Sequence, residues 1–140
     1  MRIELLDDIN NDSIPEVIVG SWNNVVILLN GRNGTHLWQT PAPNDVWTIN
    51  PISDVSGDNY ADVVAGCGDG NLYCLDGTAG SVIWNYPPRG WSNTIRSISD
   101  VNGDSLEDVI AGNQFSRSAG YVYCVSGDSL TTGIKDYQEN

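Results

Sequence analysis

Apolar residues in this chain come in short bursts separated by glycine, asparagine and aspartate. EVIVGSW (16–22) and NVVILLNG (24–31) form one pair, DVVAGC (62–67) and LYCLD (72–76) a second, DVIAG (108–112) and YVYCVSG (121–127) a third. Each burst is too short for a helix and is bounded by turn residues, so each reads as a buried strand. A weaker strand signal stands on either side of every pair. RIELLD (2–7), TINPISD (48–54) and TIRSISD (94–100) precede the pairs, and HLWQT (36–40), SVIWNY (81–86) and GIKDY (133–137) follow them. Gly68-Asp69-Gly70-Asn71 and residues 77–80 are hairpin turns, because their glycines supply the positive φ that tight turns require. YPPRG (86–90) then stops the pattern, since proline cannot donate to a ladder and restricts the residue before it. No segment carries a helical period.

The pattern is periodic on a larger scale. SDVSGDNYADVVAG (53–66) and SDVNGDSLEDVIAG (99–112) lie 46 residues apart, and a further step of 46 back from Asp54 reaches Asp8, which opens DINNDSIPEVIVG. A fixed period of this size marks a repeat architecture, in which no unit can bury its apolar face alone. Four short strands per unit predict an all-β chain: a β-propeller segment of three four-stranded antiparallel blades, approximately 1–46, 47–92 and 93–140. The third unit departs in three ways: NQFSRSAG (113–120) predicts a longer loop between its second and third strands, GDSLTTG (127–133) a longer turn between its third and fourth, and its fourth strand lacks the tryptophan found at Trp38 and Trp84.

Within each aspartate loop, oxygen-bearing side chains recur at positions 1, 3, 5 and 9. They are Asp8, Asn10, Asp12 and Glu16; Asp54, Ser56, Asp58 and Asp62; Asp100, Asn102, Asp104 and Asp108. Oxygens at 1, 3 and 5 of a tight turn converge on one point, which is how a short loop wraps a hard cation seeking six to eight oxygen ligands. Carboxylates held that close repel one another without a counter-charge, so up to three Ca²⁺ ions are expected. An EF-hand shares the opening spacing but closes with glutamate at position 12, where this chain has Val19, Ala65 and Ala111 inside strands. The competing reading is three ordinary Asx turns, solvated and metal-free.

GDGNLYCLDGTAGSVIW (68–84) resembles the repeat of quinoprotein-like propellers, with Asp76, Thr78, Gly80 and Trp84 matching its turn and outer-strand tryptophan; Gly31, Gly34 and Trp38 match more loosely. The aspartate loops are similar to the calcium loops of FG-GAP repeats, found in integrin α-subunits and bacterial surface proteins. That resemblance implies that position 9 closes the ion's shell and that the backbone carbonyl at position 7, of Ile14, Tyr60 or Leu106, adds a ligand. The glycine usual at position 6 is replaced by Ser13, Asn59 and Ser105, and the first loop has Asn11 where the others have Gly57 and Gly103. The first site is therefore expected to be the weakest.

Charge narrows the choice of partner. With 18 acidic against 6 basic residues and a net charge of -12, the chain lacks the clustered cations that phosphate-backbone binding requires, so nucleic acid is excluded. Nine of those acids sit in the three loops. No apolar window is long enough to span a membrane, and MRIELLDDIN lacks the core of a signal peptide. A secreted, periplasmic or cell-surface setting is expected, with any targeting segment outside this chain. Cys67, Cys74 and Cys124, odd in number and set in strands, read as buried free thiols.

Antiparallel order puts the aspartate loops on one face of the propeller and the loops between second and third strands on the other. That second face collects Trp22, Asn23 and Asn24, then Gln114, Phe115, Ser116 and Arg117, with Asp45, Trp47, Arg89, Trp91 and Asn93 from the loops between units. Aromatics beside amides and arginine fit a protein or carbohydrate ligand; the alternative is that Trp47 and Trp91 fill the wedge between blades. His36 is the sole histidine, so a Ser-His-Asp or zinc site is not expected. A binding scaffold is favoured over the alternative, part of a propeller enzyme such as a quinoprotein dehydrogenase or a polysaccharide lyase. Three blades fall short of the roughly four to eight that close a ring. A homodimer closing a six-bladed ring is expected to supply the rest, or the remaining blades of a longer chain.

Overall fold

The computed structural model describes residues 1–87, 90–116, 119–128 and 137–138. Its strands are β1 (Arg2–Leu6), β2 (Glu16–Ser21), β3 (Val25–Leu29), β4 (His36–Pro41), β5 (Val46–Ile52), β6 (Asp62–Cys67), β7 (Leu72–Leu75), β8 (Val82–Tyr86), β9 (Trp91–Ile98), β10 (Asp108–Ser116), β11 (Ala119–Val125) and β12 (Tyr137–Gln138). They form three four-stranded sheets, β1–β4, β5–β8 and β9–β12, each paired in chain order. Every pairing is antiparallel. Among the described residues there is no helix, and so none long and apolar enough to cross a membrane.

The sheets pack face to face in two apolar wedges. Ile18, Val26 and Leu28 of the first blade meet Ile49, Val63 and Ala65 of the second. Val64, Leu72 and Cys74 of the second blade meet Ile95, Val109 and Ala111 of the third. Both faces of the middle sheet are thus covered, which is why β6 is buried at all six positions and reads as a continuous apolar run. Glycine sets the closest approach: a Cβ on Gly20 would lie 2.6 Å from Val46 Cγ1, and one on Gly66 2.9 Å from Ser92 Cβ of the next blade. Pro51 is tolerated because β5 is an edge strand of its sheet.

Three local expectations change. β5 and β9 begin at Val46 and Trp91, ahead of the predicted starts at 48 and 94, because Val46 and Ser92 are fully buried against the glycines of the preceding blade. Residues 113–116 are not loop: β10 runs through Ser116 and pairs with a β11 that begins at Ala119, so the longer connection extends the hairpin's strands. Cys67 and Cys74 are buried free thiols as expected, but Cys124 is only half-buried, since among the described residues no blade covers that side of the third sheet. Burial pushes the Cys67 thiol up to about 12, with Asp69 adding to the rise. Of the expected turn GDSLTTG and strand GIKDY, residues 129–136 lie outside the described residues, as do Arg89 and Arg117 and the side chain of Phe115.

Candidate functional site

Each aspartate loop joins the first strand of its blade to the second, and all three fold the same way. The position-1 carboxylate reaches across the turn to the backbone. Asp8 Oδ2 accepts from Ser13 N–H at 2.7 Å, Asp54 Oδ2 from Asn59 N–H at 2.7 Å, and Asp100 Oδ2 from Ser105 N–H at 2.8 Å. The position-5 carboxylate turns the chain again, Asp12, Asp58 and Asp104 accepting from the N–H of Ile14, Tyr60 and Leu106 at 3.0, 2.9 and 2.8 Å. Position 6 is left-handed in every copy, with φ of 66° at Ser13, 73° at Asn59 and 74° at Ser105. The serines accept a conformation that costs a non-glycine residue about 1–2 kcal/mol. Asn11, at φ 62°, repeats the turn that Gly57 and Gly103 make at position 4. The first loop therefore has the backbone of the other two.

Position 9 is enclosed in all three loops, at Glu16, Asp62 and Asp108. Asp62 ties its loop together: Oδ2 accepts from Val55 and Ser56 N–H at 2.7 Å each, and Oδ1 from Gly77 N–H at 2.9 Å. Asp108 makes the matching bonds to Val101 N–H at 2.7 Å and Gly127 N–H at 3.3 Å. Glu16, one methylene longer, accepts from Asn10 Nδ2 through Oε1, while its buried Oε2 has no hydrogen-bond partner. Burial holds the Glu16 and Asp62 carboxyls above the usual range, with neighbouring aspartates adding to it and backbone N–H groups opposing it. Asp100 is held below that range by the N–H groups of Gly103 and Ser105. For Asp54 burial acts upward but is outweighed by the N–H groups of Asn59, Gly57 and Asp58, so its carboxyl is also lowered.

The turn between third and fourth strands locks onto the aspartate loop of the same blade. Thr78 Oγ1 donates to Asp58 Oδ2 at 2.9 Å and Ser126 Oγ to Asp104 Oδ2 at 2.8 Å. In the first blade Arg32 takes this part, its Nε 3.2 Å from Asp12 Oδ2 and its Nη2 donating to the Asp12 carbonyl at 2.7 Å. A glycine opens each turn. A Cβ on Gly31, Gly77 or Gly127 would lie 1.9, 1.9 or 2.2 Å from the carbonyl oxygen of Pro15, Ala61 or Glu107. These tethers were not foreseen from the sequence, although the recurrence of glycine at one place in every unit is their visible trace.

The expected site residues thus gather loop by loop, with Asn10, Ser56 and Asn102 at position 3 beside the carboxylates. Asn10 and Asn102 Oδ1 accept from the position-5 N–H at 3.0 and 2.9 Å, and Ser56 Oγ donates to Asp54 Oδ1 at 3.3 Å. Among the described residues no three His, Cys, Asp or Glu side chains are gathered tightly enough to hold a metal ion by themselves. What each turn brings together is the position-1 and position-5 carboxylates with the position-3 amide or hydroxyl, while the position-9 carboxyls of the second and third loops accept from backbone N–H groups. Hard oxygen donors of this kind suit calcium chemically, and the orphaned Glu16 Oε2 is a buried carboxyl oxygen that a cation would satisfy.

On the opposite face Trp22 projects from the β2–β3 turn and is 67% exposed. Trp22, Asp45, Trp47 and Asn93 line a cleft of about 740 Å³ together with Met1 and Arg2. Trp47, Trp91 and Asn93 reach this face from strands, not from the loops between units where they were expected. Trp47 and Trp91 pack together, ring centroids 6.2 Å apart and tilted by 38°, so one aromatic pair spans the joint between the second and third blades. The indoles of Trp38 and Trp84 lie elsewhere, each donating to the next blade: to Gly77 O at 2.9 Å and to Gly127 O at 2.7 Å.

No protein-family model and no curated protein matches the chain. Solved structures do. The chain is similar to BBS1N in complex with ARL6DN, with a TM-score of 0.66 at 12% identity over 96% of this chain and 39% of that one. It is also similar to BamB from Moraxella catarrhalis, with a TM-score of 0.56 at 18% identity over 88% of this chain and 34% of that one. The chain therefore spans well under half the length of the structures it matches. The shared feature is the fold: a β-propeller segment of three antiparallel four-stranded blades.

Proposed function

We propose that this chain is a calcium-stabilised propeller module, working outside the cytosol, whose tryptophan-bearing face recognises a protein partner. The observation that carries the calcium reading is the threefold loop: the same left-handed position 6 and the same carboxylate-to-backbone bonds recur on three different sequences. Asp8, Asn10, Asp12 and Glu16, with their counterparts in the other two loops, would hold the ion, and the carbonyls of Ile14, Tyr60 and Leu106 would complete the shell, as in FG-GAP repeats. The ion is a strut: it neutralises the loop carboxylates and leaves the opposite face free for recognition. Extracellular calcium levels match the affinity of such modules, roughly 10⁻⁴ to 10⁻³ M. Support for a protein ligand comes from the aromatic cleft and from the structural likeness to BBS1N, which is in complex with ARL6DN.

Thermal unfolding in chelator and in millimolar calcium tests the reading. Each site at tenfold excess over its Kd adds about 1.4 kcal/mol, so three sites raise the midpoint by on the order of 10 °C. Equal midpoints, with no calcium found by elemental analysis, would sink it. Magnesium, which demands a tighter octahedral shell, is expected to do less.

A further inference from the structure

The joint between blades is built twice by the same parts. Trp38 of the first blade donates to Gly77 O in the second and lies against Gly80, where a Cβ would come 2.6 Å from Trp38 Cε3. Trp84 of the second blade donates to Gly127 O in the third. The first blade carries the same receiving turn. Gly34 has φ +71° against +70° at Gly80, and Gly34 N–H closes the turn on Asn30 O at 2.8 Å as Gly80 N–H does on Asp76 O at 2.7 Å. Yet a Cβ on Gly34 would meet nothing within 4 Å. The strand faces agree: Ile3, Ile49 and Ile95 occupy one repeat position and are 54%, 1% and 1% exposed. Val17 and Val19 are likewise half-open where Val63, Ala65, Val109 and Ala111 are buried.

We propose that this flank of the first blade is a socket for one further β-blade that carries a tryptophan on its outer strand, and that a second copy of this chain does not supply that blade. The chain's five tryptophans account for themselves. Trp38 and Trp84 are committed to its own joints, Trp47 and Trp91 pack on each other, and Trp22 lies on the β2–β3 turn. No tryptophan follows Trp91, so a second copy docking its third blade here would bring no indole to Gly31 O and Gly34. What the socket fits is an apolar sheet face with an indole N–H aimed at a backbone carbonyl. The inference rests on the reading of the chain as a propeller segment completed by further blades and is independent of calcium.

The test extends the full chain at its N-terminus with a second copy of residues 1–46, which keeps the 46-residue phase and sets an added indole against Gly31 and Gly34 as Trp38 is set against Gly77 and Gly80. Amide exchange of Asn30 and Gly34, whose N–H groups close the turn, is expected to slow by about tenfold or more. Changing the added tryptophan to phenylalanine is expected to return most of that protection. An added blade that leaves exchange unchanged, or a phenylalanine version that protects equally, overturns the socket. A second fusion carrying residues 47–92 repeats the test with a different blade, so misfolding of one fusion does not decide it. Light scattering and exchange on the unextended chain examine the partner. A species at 15.2 kDa with fast exchange at Gly34 is expected, and a stable dimer that protects this turn overturns the exclusion of a second copy. Running every arm in calcium and in chelator keeps failure of the socket distinct from failure of the calcium reading.

Discussion

At the residue scale, glycine decides where the aspartate loop and the neighbouring turn can touch. Gly31, Gly77 and Gly127 sit under the carbonyl that precedes the position-9 acid, and in two of the three a Cβ would fall 1.9 Å from that oxygen. The obstacle is backbone, which cannot swing aside as a side chain would. Gly57 is glycine for another reason, its φ of +85°, with nothing within 4 Å of a Cβ. The two kinds of glycine separate by mutation. Gly77→Ala is expected to cost about 3 kcal/mol through overpacking and Gly57→Ala only about 1–2 kcal/mol of backbone strain, read as a larger fall in the urea midpoint for the first. An equal loss would mean that the turn relaxes freely and does not brace the loop.

At the scale of the element, three loops with one backbone differ in how their charge is met. Asp12 has the Arg32 guanidinium beside it, whereas Asp58 has the neutral hydroxyl of Thr78, and Asp104 the hydroxyl of Ser126 and the amide of Asn102. A neutral hydroxyl leaves the carboxylate's full charge available to an ion; a guanidinium competes for it. Asp58→Ala and Asp104→Ala are therefore expected each to remove one calcium and most of that site's stabilisation, about 1.4 kcal/mol at tenfold excess over Kd, while Asp12→Ala has the smallest effect on calcium-dependent stability. Calorimetric titration of the three variants checks the order. If Asp12→Ala lost the most, the orphaned Glu16 Oε2 would mark the first loop as the strongest site instead.

At the scale of the molecule, two wedges are filled and two flanks are open. On the far flank Ile110 and Val122 are 39% and 46% exposed, although their repeat counterparts Val64 and Leu72 are 1% and 0% exposed. Stability is a sum over joints in such arrays, so the same side chain is worth different amounts at different places. Ile95→Ala is expected to cost about 3 kcal/mol, as a core truncation does, and Ile3→Ala well under about 1 kcal/mol in the chain alone. The Ile3 cost should rise toward the Ile95 value once a blade covers the flank. Chemical denaturation of both variants, with and without an added blade, measures that rise directly.

Much of this was legible in the order of residues. The 46-residue recurrence of aspartates and the short apolar bursts between turns imply strands, blades and loops, because alternation, turn chemistry and oxygen spacing act over a few residues and need no distant neighbour. β6 was read to the residue as Asp62–Cys67, being a buried run with turns at both ends. The edge strands β5 and β9 were misjudged by two or three residues, since Val46 and Ser92 become strand only by packing on Gly20 and Gly66 of another blade. Tertiary structure alone decided that Ser13 and Ser105 would hold a left-handed turn, that Thr78, Ser126 and Arg32 would grip the loops, and that Trp38 and Trp84 would bind the next blade while Gly34 faces open space. Each of these is a contact between residues 20 or more apart in the chain, or a strain borne only because such contacts surround it, and local sequence carries no term for either.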